Sequence, residues 1–255
     1  MRQERLLAEL AFHDQQAHQR WQTHSDHAAW LRFQPQEYLT HESWIQPAIE
    51  LMGDVQGRSV LDYGCGHGMA GVVLAGRGAR VTAFDLSGGY VHECIERAMA
   101  NNVAAQVQAV QAAGERLPFA DHSFDRVWGH AILHHLDLQD AAPEIRRVIK
   151  PGGWGVFCEP WGGNPLFEWG RLWLHYPGKH RSKDEQPLHW SDLVHLHKSF
   201  PRMQVFPYQL LGSLRRLKSG LPGLGWLDRI DHFLMHHCNG LRRFCRYAVL
   251  LLPRD

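Results

Sequence analysis

Val60-Leu61-Asp62-Tyr63-Gly64-Cys65-Gly66-His67-Gly68 joins a short apolar run to three glycines at alternate positions, directly before a helical pattern. The stretch reads as a β-strand entering a tight turn and then a helix. Glycines at such a turn permit positive φ and leave no Cβ between the backbone and a ligand, while the first turn of the following helix offers N–H groups without intrahelical acceptors. A second apolar run, Val81-Thr82-Ala83-Phe84-Asp85, ends in a carboxylate. It falls about 20 residues after the glycines, where dinucleotide-type folds place the acid that accepts hydrogen bonds from ribose hydroxyls. The two runs make a βαβ unit with an adenosine-type site at its carboxyl edge.

Working outward, strands are expected near 59–63, 80–85, 105–110, 124–129 and 153–159, with helices between them. Alternating β and α elements imply a parallel sheet with right-handed crossovers, which puts the carboxyl ends of the strands along one edge. The chain of 255 residues, 44% of them apolar, suffices for one α/β domain with an elaboration. Residues 1 to about 55 show helical periodicity (Leu6, Leu7, Leu10, Phe12, then Trp21, Trp30, Leu31, Phe33, then Trp44, Ile45, Ile49, Leu51) and read as two or three helices. After residue 160 come a Trp-rich stretch to Tyr176, a polar loop from Gly178 to Gln186 and a helix opening near Ser191-Asp192, with Ser191 as its N-cap. Leu221, Leu224, Trp226, Leu227, Ile230, Phe233 and Leu234 mark an amphipathic helix suited to a cap or a homodimer surface.

Six motifs stand in order: Asp62-x-Gly64-x-Gly66-x-Gly68, Asp85-Leu86-Ser87, Glu115-Arg116-Leu117-Pro118-Phe119, Asp121-His122-Ser123-Phe124-Asp125, Leu133-His134-His135 and Ile149-Lys150-Pro151-Gly152-Gly153. Over roughly residues 55 to 160 the chain thereby resembles class I S-adenosylmethionine (SAM) dependent methyltransferases of the type 11 kind. The resemblance implies a Rossmann-like, mainly parallel seven-stranded sheet. Its final antiparallel hairpin would come from Met203–Phe206 and Ala248–Leu252. The implied organisation is an N-terminal helical lid (1–55), a SAM-binding core (56–160), and a substrate cap with C-terminal strands (161–255). It implies SAM as cofactor, held by Asp62, Gly64, Cys65, Gly66, Gly68, Asp85 and Leu86. The chain departs from the family at Ala113, where an acid often meets the adenine amino group; adenine contact then falls to Gly114, Glu115 or a neighbour such as His130.

Methyl transfer is an in-line displacement at carbon, so the protein chiefly aligns the acceptor and excludes water. A base is needed only for a protonated acceptor. His134 and His135 after the fourth strand and Glu159 after the fifth are candidates, and Asn164 and Tyr176 are candidate polar or cation–π partners. The leading expectation is a methyltransferase of a small-molecule, natural-product or lipid-like acceptor. Two alternatives stay open: a lyase or cyclase that closes SAM to azetidine-2-carboxylate and methylthioadenosine, and a non-catalytic SAM-fold binding protein.

The net charge of +1 offers no basic footprint for nucleic acid. Cys65, Cys94, Cys158, Cys238 and Cys245 contain no C-x-x-C pair and are odd in number, so neither a disulfide framework nor a zinc knuckle is indicated, and a cytoplasmic setting is the simplest. No apolar run approaches the ~20 residues of a membrane span. Nineteen histidines invite a metal reading, with His130 and His134 four apart and Glu159 as a third ligand. The match of Leu133-His134-His135 to a metal-free family pattern argues against it, and no metal is expected.

Overall fold

The computed structural model describes residues 2–164, 186–211 and 226–255. Tyr176, Leu221, Leu224 and nearly all of the 178–186 loop lie outside the described residues.

The N-terminal segment forms four helices rather than two or three: α1 (Arg2–Thr23), α2 (His27–Leu31), α3 (Pro35–Leu39) and α4 (Ile45–Leu51). Local caps cut it more finely than the apolar spacing suggested. The Asp26 carboxylate accepts from the Ala29 amide at 3.0 Å at the start of α2, and Glu37 accepts from the Gln34 amide at 3.1 Å where Pro35 opens α3.

The core then runs β1 (Ser59–Tyr63), α5 (Met69–Gly76), β2 (Arg80–Asp85), α6 (Gly88–Ala100), β3 (Val107–Gln111), β4 (Phe124–His130), α7 (Leu138–Val148) and β5 (Ile149–Pro160). The chain closes with α8 (Leu193–Ser199), β6 (Gln204–Tyr208), α9 (Trp226–His237) and β7 (Tyr247–Pro253). The seven strands lie in the order β3-β2-β1-β4-β5-β7-β6. β1 pairs in parallel with β2 and β4, β2 with β3 and β4 with β5, while β7 runs antiparallel between β5 and β6. The expected Rossmann-like sheet and C-terminal hairpin are both present. β5 begins four residues earlier than expected, because Ile149 pairs with Phe124 before a register shift at Phe124/Arg126.

Alternating side chains divide the strands between two packed faces. Leu61, Val127, Phe157 and Leu250 face α7 and α8 in one cluster, with Ile145 and Leu196 among the partners. Val60, Val81, Trp128, Val156 and Val249 face α4 and α5 in the other, against Ile49 and Leu74. Because β1 lies between β2 and β4, successive crossovers leave it in opposite directions, which opens a crevice beyond the carboxyl ends of β1 and β4.

One expectation at the C-terminal side changes. Asp192, not Ser191, occupies the N-cap position of α8; its carboxylate accepts from the His189 amide at 2.7 Å and from the Ser191 hydroxyl at 3.4 Å. In α9 the inward face carries Leu227, Asp231 and Met235, while Trp226, Ile230 and Phe233 are exposed. The Asp231 carboxylate faces inward because it accepts from the Leu211 amide at 2.8 Å.

The turn from β1 into α5 depends on Gly68, which has φ of +76° and N-caps α5. A Cβ there would stand 2.7 Å from Cys94 Cα, in the backbone of α6. Gly68→Ala combines left-handed strain with overpacking and is expected to destabilise the protein by about 1–3 kcal/mol, read as a lowered Tm by calorimetry. An unchanged Tm would contradict this account of the turn.

Candidate active site

The crevice holds a cavity of about 570 Å³. Its floor is the β1 turn (Asp62, Gly64, Cys65, Gly66 and His67) and the end of β2 (Asp85, Leu86). One wall is Gly114, Glu115 and the segment His130–Ile132 with His135; α1 covers it through Arg5, Leu6, Glu9, His13 and Gln16.

Asp85 organises the floor. One carboxylate oxygen accepts from the Gly66 amide and the other from the Ser87 amide, each at 2.9 Å. The bend at Gly66, with φ of +47°, brings that amide onto Asp85, and a Cβ on Gly66 would meet no atom within 4 Å. Burial raises the Asp85 pKa against the pull of these amides.

Asp62 is buried at the end of β1, and its Oδ2 has no hydrogen-bond partner among the described residues. Burial, reinforced by the charge of Asp85, raises its pKa to about 7 against the relief given by the Gly71 amide. Two imidazoles beside the cavity are held neutral: burial lowers His67 and His130 to about 4. His130 sits edge-on to Trp44, with ring centroids 4.8 Å apart.

The cofactor residues expected from sequence converge on this cavity, with one exception. Asp62, Gly64, Cys65, Gly66, Asp85, Leu86, Gly114, Glu115 and His130 line it. Gly68 does not; it serves the close approach to Cys94. The Tyr63 hydroxyl donates to the Gly114 carbonyl at 2.7 Å, and a Cβ on Gly114 would lie 2.6 Å from that hydroxyl. Glu115 accepts from Arg5 of α1 and from the Asp137 amide, so its side chain joins α1 to the wall.

The catalytic candidates separate. Glu159 is fully buried and accepts from the Ile132 and Leu133 amides at 3.0 and 2.9 Å while pairing with His134 Nδ1 at 2.7 Å. Burial alone would raise its pKa, but His134 and the two amides overcome this and lower it. His134 is buried against Glu159 and lines a neighbouring concavity with Leu188, His189 and His195. Asn164 is buried with its amide donating to the Phe244 carbonyl at 2.8 Å, away from the cavity lining. Among the described candidates only His135 faces the cavity. The His130, His134 and Glu159 grouping considered for a metal is not assembled either; among the described residues, the His/Cys/Asp/Glu group close enough to share an ion is Glu9, His13 and His135.

α1 supplies what sequence reading missed. Glu9 and His13, four apart on one helical face, meet His135, with Glu9 Oε2 at 3.2 Å from His13 Nε2 and 3.3 Å from His135 Nδ1. Burial lowers the His13 pKa, but hydrogen bonding to Glu9 and the charges of Asp85 and Glu9 reverse this and leave it raised. Asp14 accepts from the Ser87 hydroxyl at 2.5 Å, and Tyr90 donates to Gln16 at 3.3 Å. The available signal was the Glu9-x-x-x-His13 spacing, which gains meaning only beside a partner from the β4 loop.

The pattern of the "Methyltransferase domain" family matches residues 61–157, which are the strands and turns of this floor and wall. This match covers the core alone. The chain is 34% identical over 127 residues to the fatty-acid O-methyltransferase of Mycolicibacterium smegmatis, covering 49% of this chain and 45% of that protein. It is 35% identical over 130 residues to the malonyl-[acyl-carrier protein] O-methyltransferase of Enterobacter lignolyticus, covering 49% of each. The aligned region thus spans about half the length of these curated relatives. The fold matches geranyl diphosphate C-methyltransferase from Streptomyces coelicolor A3(2), solved with Mg2+, geranyl diphosphate and S-adenosyl-L-homocysteine, at a TM-score of 0.57 and 17% identity over 82% of this chain and 77% of that one. Among the described residues, no helix is long and apolar enough to cross a membrane.

The raised pKa of Asp62 has a defined sign. A folded-state pKa of about 7 against 3.8 means that the folded protein binds the extra proton between these values, so stability falls as pH rises from about 4 to about 7. Asp62→Asn removes that loss. The stability of the variant relative to the parent, without ligand, is expected to grow across that window by a few kcal/mol, on the order of 1.4 per pKa unit, and to level off above it. Tm measured against pH for both proteins checks this, and a pH-independent difference would refute it.

Proposed function

We propose that the protein is a SAM-dependent methyltransferase of a small-molecule acceptor. The observation that carries the proposal is the joint presence, at one cavity, of the Asp85-tied turn at Gly66 and the partnerless Asp62 oxygen. These features fit SAM on physical grounds. A buried carboxylate oxygen without a partner suits a cationic group, and a glycine turn without Cβ lets a ligand approach the backbone. Bound SAM supplies an electrophilic methyl group on sulfur.

The chain's own residues then have separable roles. Asp85, whose oxygens retain acceptor capacity beyond the two amides, takes the ribose hydroxyls; Asp62 and the 64–66 backbone face the amino-acid end. Gly114, Glu115 and His130 bound the adenine side. α1 acts as the lid: Arg5, Asp14 and Gln16 pin it to Glu115, Ser87 and Tyr90, so water is excluded when it seats. Glu159 and His134 are positioning residues that fix the 132–135 turn and thereby aim His135 into the cavity.

The acceptor fills the remainder of the cavity, whose lining mixes apolar residues such as Leu6, Ile45, Met69 and Leu136 with the Glu9, His13 and His135 corner. This lining supports an acceptor with an apolar body and one polar group. The O-methyltransferases named above are consistent with such a class.

Incubation with SAM, with and without a panel of such acceptors, tests the reaction by mass analysis of products. Adenosylhomocysteine formed only in the presence of an acceptor is expected; methylthioadenosine formed without one would overturn methyl transfer in favour of SAM cleavage. Asp85→Ala leaves ribose hydroxyls and the Gly66 and Ser87 amides without their acceptor, so calorimetry is expected to show SAM binding weakened by about 1–3 kcal/mol. Unchanged affinity would remove Asp85 from the site.

A further inference from the structure

We propose that Glu9, His13 and His135 form a site for a divalent transition-metal ion of the zinc class at the acceptor end of the cavity. Two imidazoles and one carboxylate are a ligand set of catalytic zinc sites, which keep a fourth position open. Two of the three ligand-atom separations match those of such a site before any rearrangement. With metal–ligand bonds of about 2.0–2.2 Å and tetrahedral angles, adjacent ligand atoms stand about 3.3–3.5 Å apart. Glu9 Oε2 lies 3.2 Å from His13 Nε2 and 3.3 Å from His135 Nδ1, and the three ligand atoms all fall within 4.8 Å of one another. The two rings meet edge to face, 5.4 Å between centroids and 77° between planes, so they converge on the carboxylate without stacking.

The surroundings favour a cation. Asp85 places a negative charge within electrostatic reach of His13. The nearby Arg5 is committed to Glu115 and to the His135 carbonyl, which offsets its charge and steadies the backbone of one ligand. All three ligand residues line the cavity, so the open position faces the acceptor space. The ligand class for that position is an oxygen anion: a carboxylate, phenolate or enolate on the acceptor. The ion itself would bind without SAM or acceptor, so failure here leaves the methyltransferase reading standing.

The test titrates zinc chloride into the full chain, freed of metal with a chelator, using competition with a chromophoric zinc indicator. One equivalent bound with micromolar or tighter affinity is expected. His13→Ala and His135→Ala should each weaken it by at least about tenfold, as should Glu9→Gln, while His122→Ala should leave it unchanged. Circular dichroism verifies that each variant is folded. Cobalt substituted for zinc should show the intense visible absorption of a four-coordinate ion, lost in His13→Ala. Absence of stoichiometric zinc binding, or binding equally strong in the His13 and His135 variants, would overturn the proposal.

Discussion

The carboxylate of Asp85 is the constraint on which the rest of the site depends. It stands at the end of β2 and holds the Gly66 amide of the neighbouring β1 turn and the Ser87 amide that opens α6. Charge-assisted bonds of this kind are stronger than neutral ones, and burial makes them more so. They also set the position of α1, since Ser87, fixed by its amide, gives its hydroxyl to Asp14 of that helix. One side chain therefore links the β1 turn, the start of α6 and the N-terminal helix. That linkage explains why a nucleotide-type crevice and its cover arise together.

The electrostatics follow from what this arrangement buries. Asp62, Asp85, Glu9 and Glu115 border the cavity, while Arg5 is drawn to Glu115. His67 and His130 contribute no positive charge near neutral pH, because burial lowers both to about 4. The balance around the cavity is anionic although the chain as a whole carries only +1. A cavity of this sign suits a cationic ligand, and the buried Asp62 Oδ2, without a hydrogen-bond partner among the described residues, adds to that sign.

The floor of the site was legible in the sequence because it is local. Gly64, Gly66 and Asp85 announce turns at strand ends, and strand patterning alone puts those turns on one edge. What was not legible depends on chain segments far apart. His134 and His135 are adjacent, and nothing in their sequence tells which faces the cavity. The turn at 133–135 decides it, since Glu159 claims His134 and leaves His135 to the cavity. Glu9 and His13 read as ordinary polar positions on a helix until that turn meets them. Asn164 was a candidate polar partner for the site, but its amide donates to the Phe244 carbonyl of the C-terminal segment instead. The break between α1 and α2 likewise rests on the Asp26 cap, a signal weaker than the apolar spacing that runs across it.

Glu159 shows why a residue outside the cavity can still govern it. A buried carboxylate is costly unless its acceptor capacity is filled, and here two amides and an imidazole fill it. Those donors all belong to residues 132–134, so the carboxylate can be satisfied only when that turn adopts this one conformation. His135 comes next, and its carbonyl receives Arg5 from α1. The buried charge at the end of β5 thus fixes both the imidazole that enters the cavity and the backbone on which α1 rests. Burial, usually the expense of an ionised group, is here the means by which the wall and its cover are held in register.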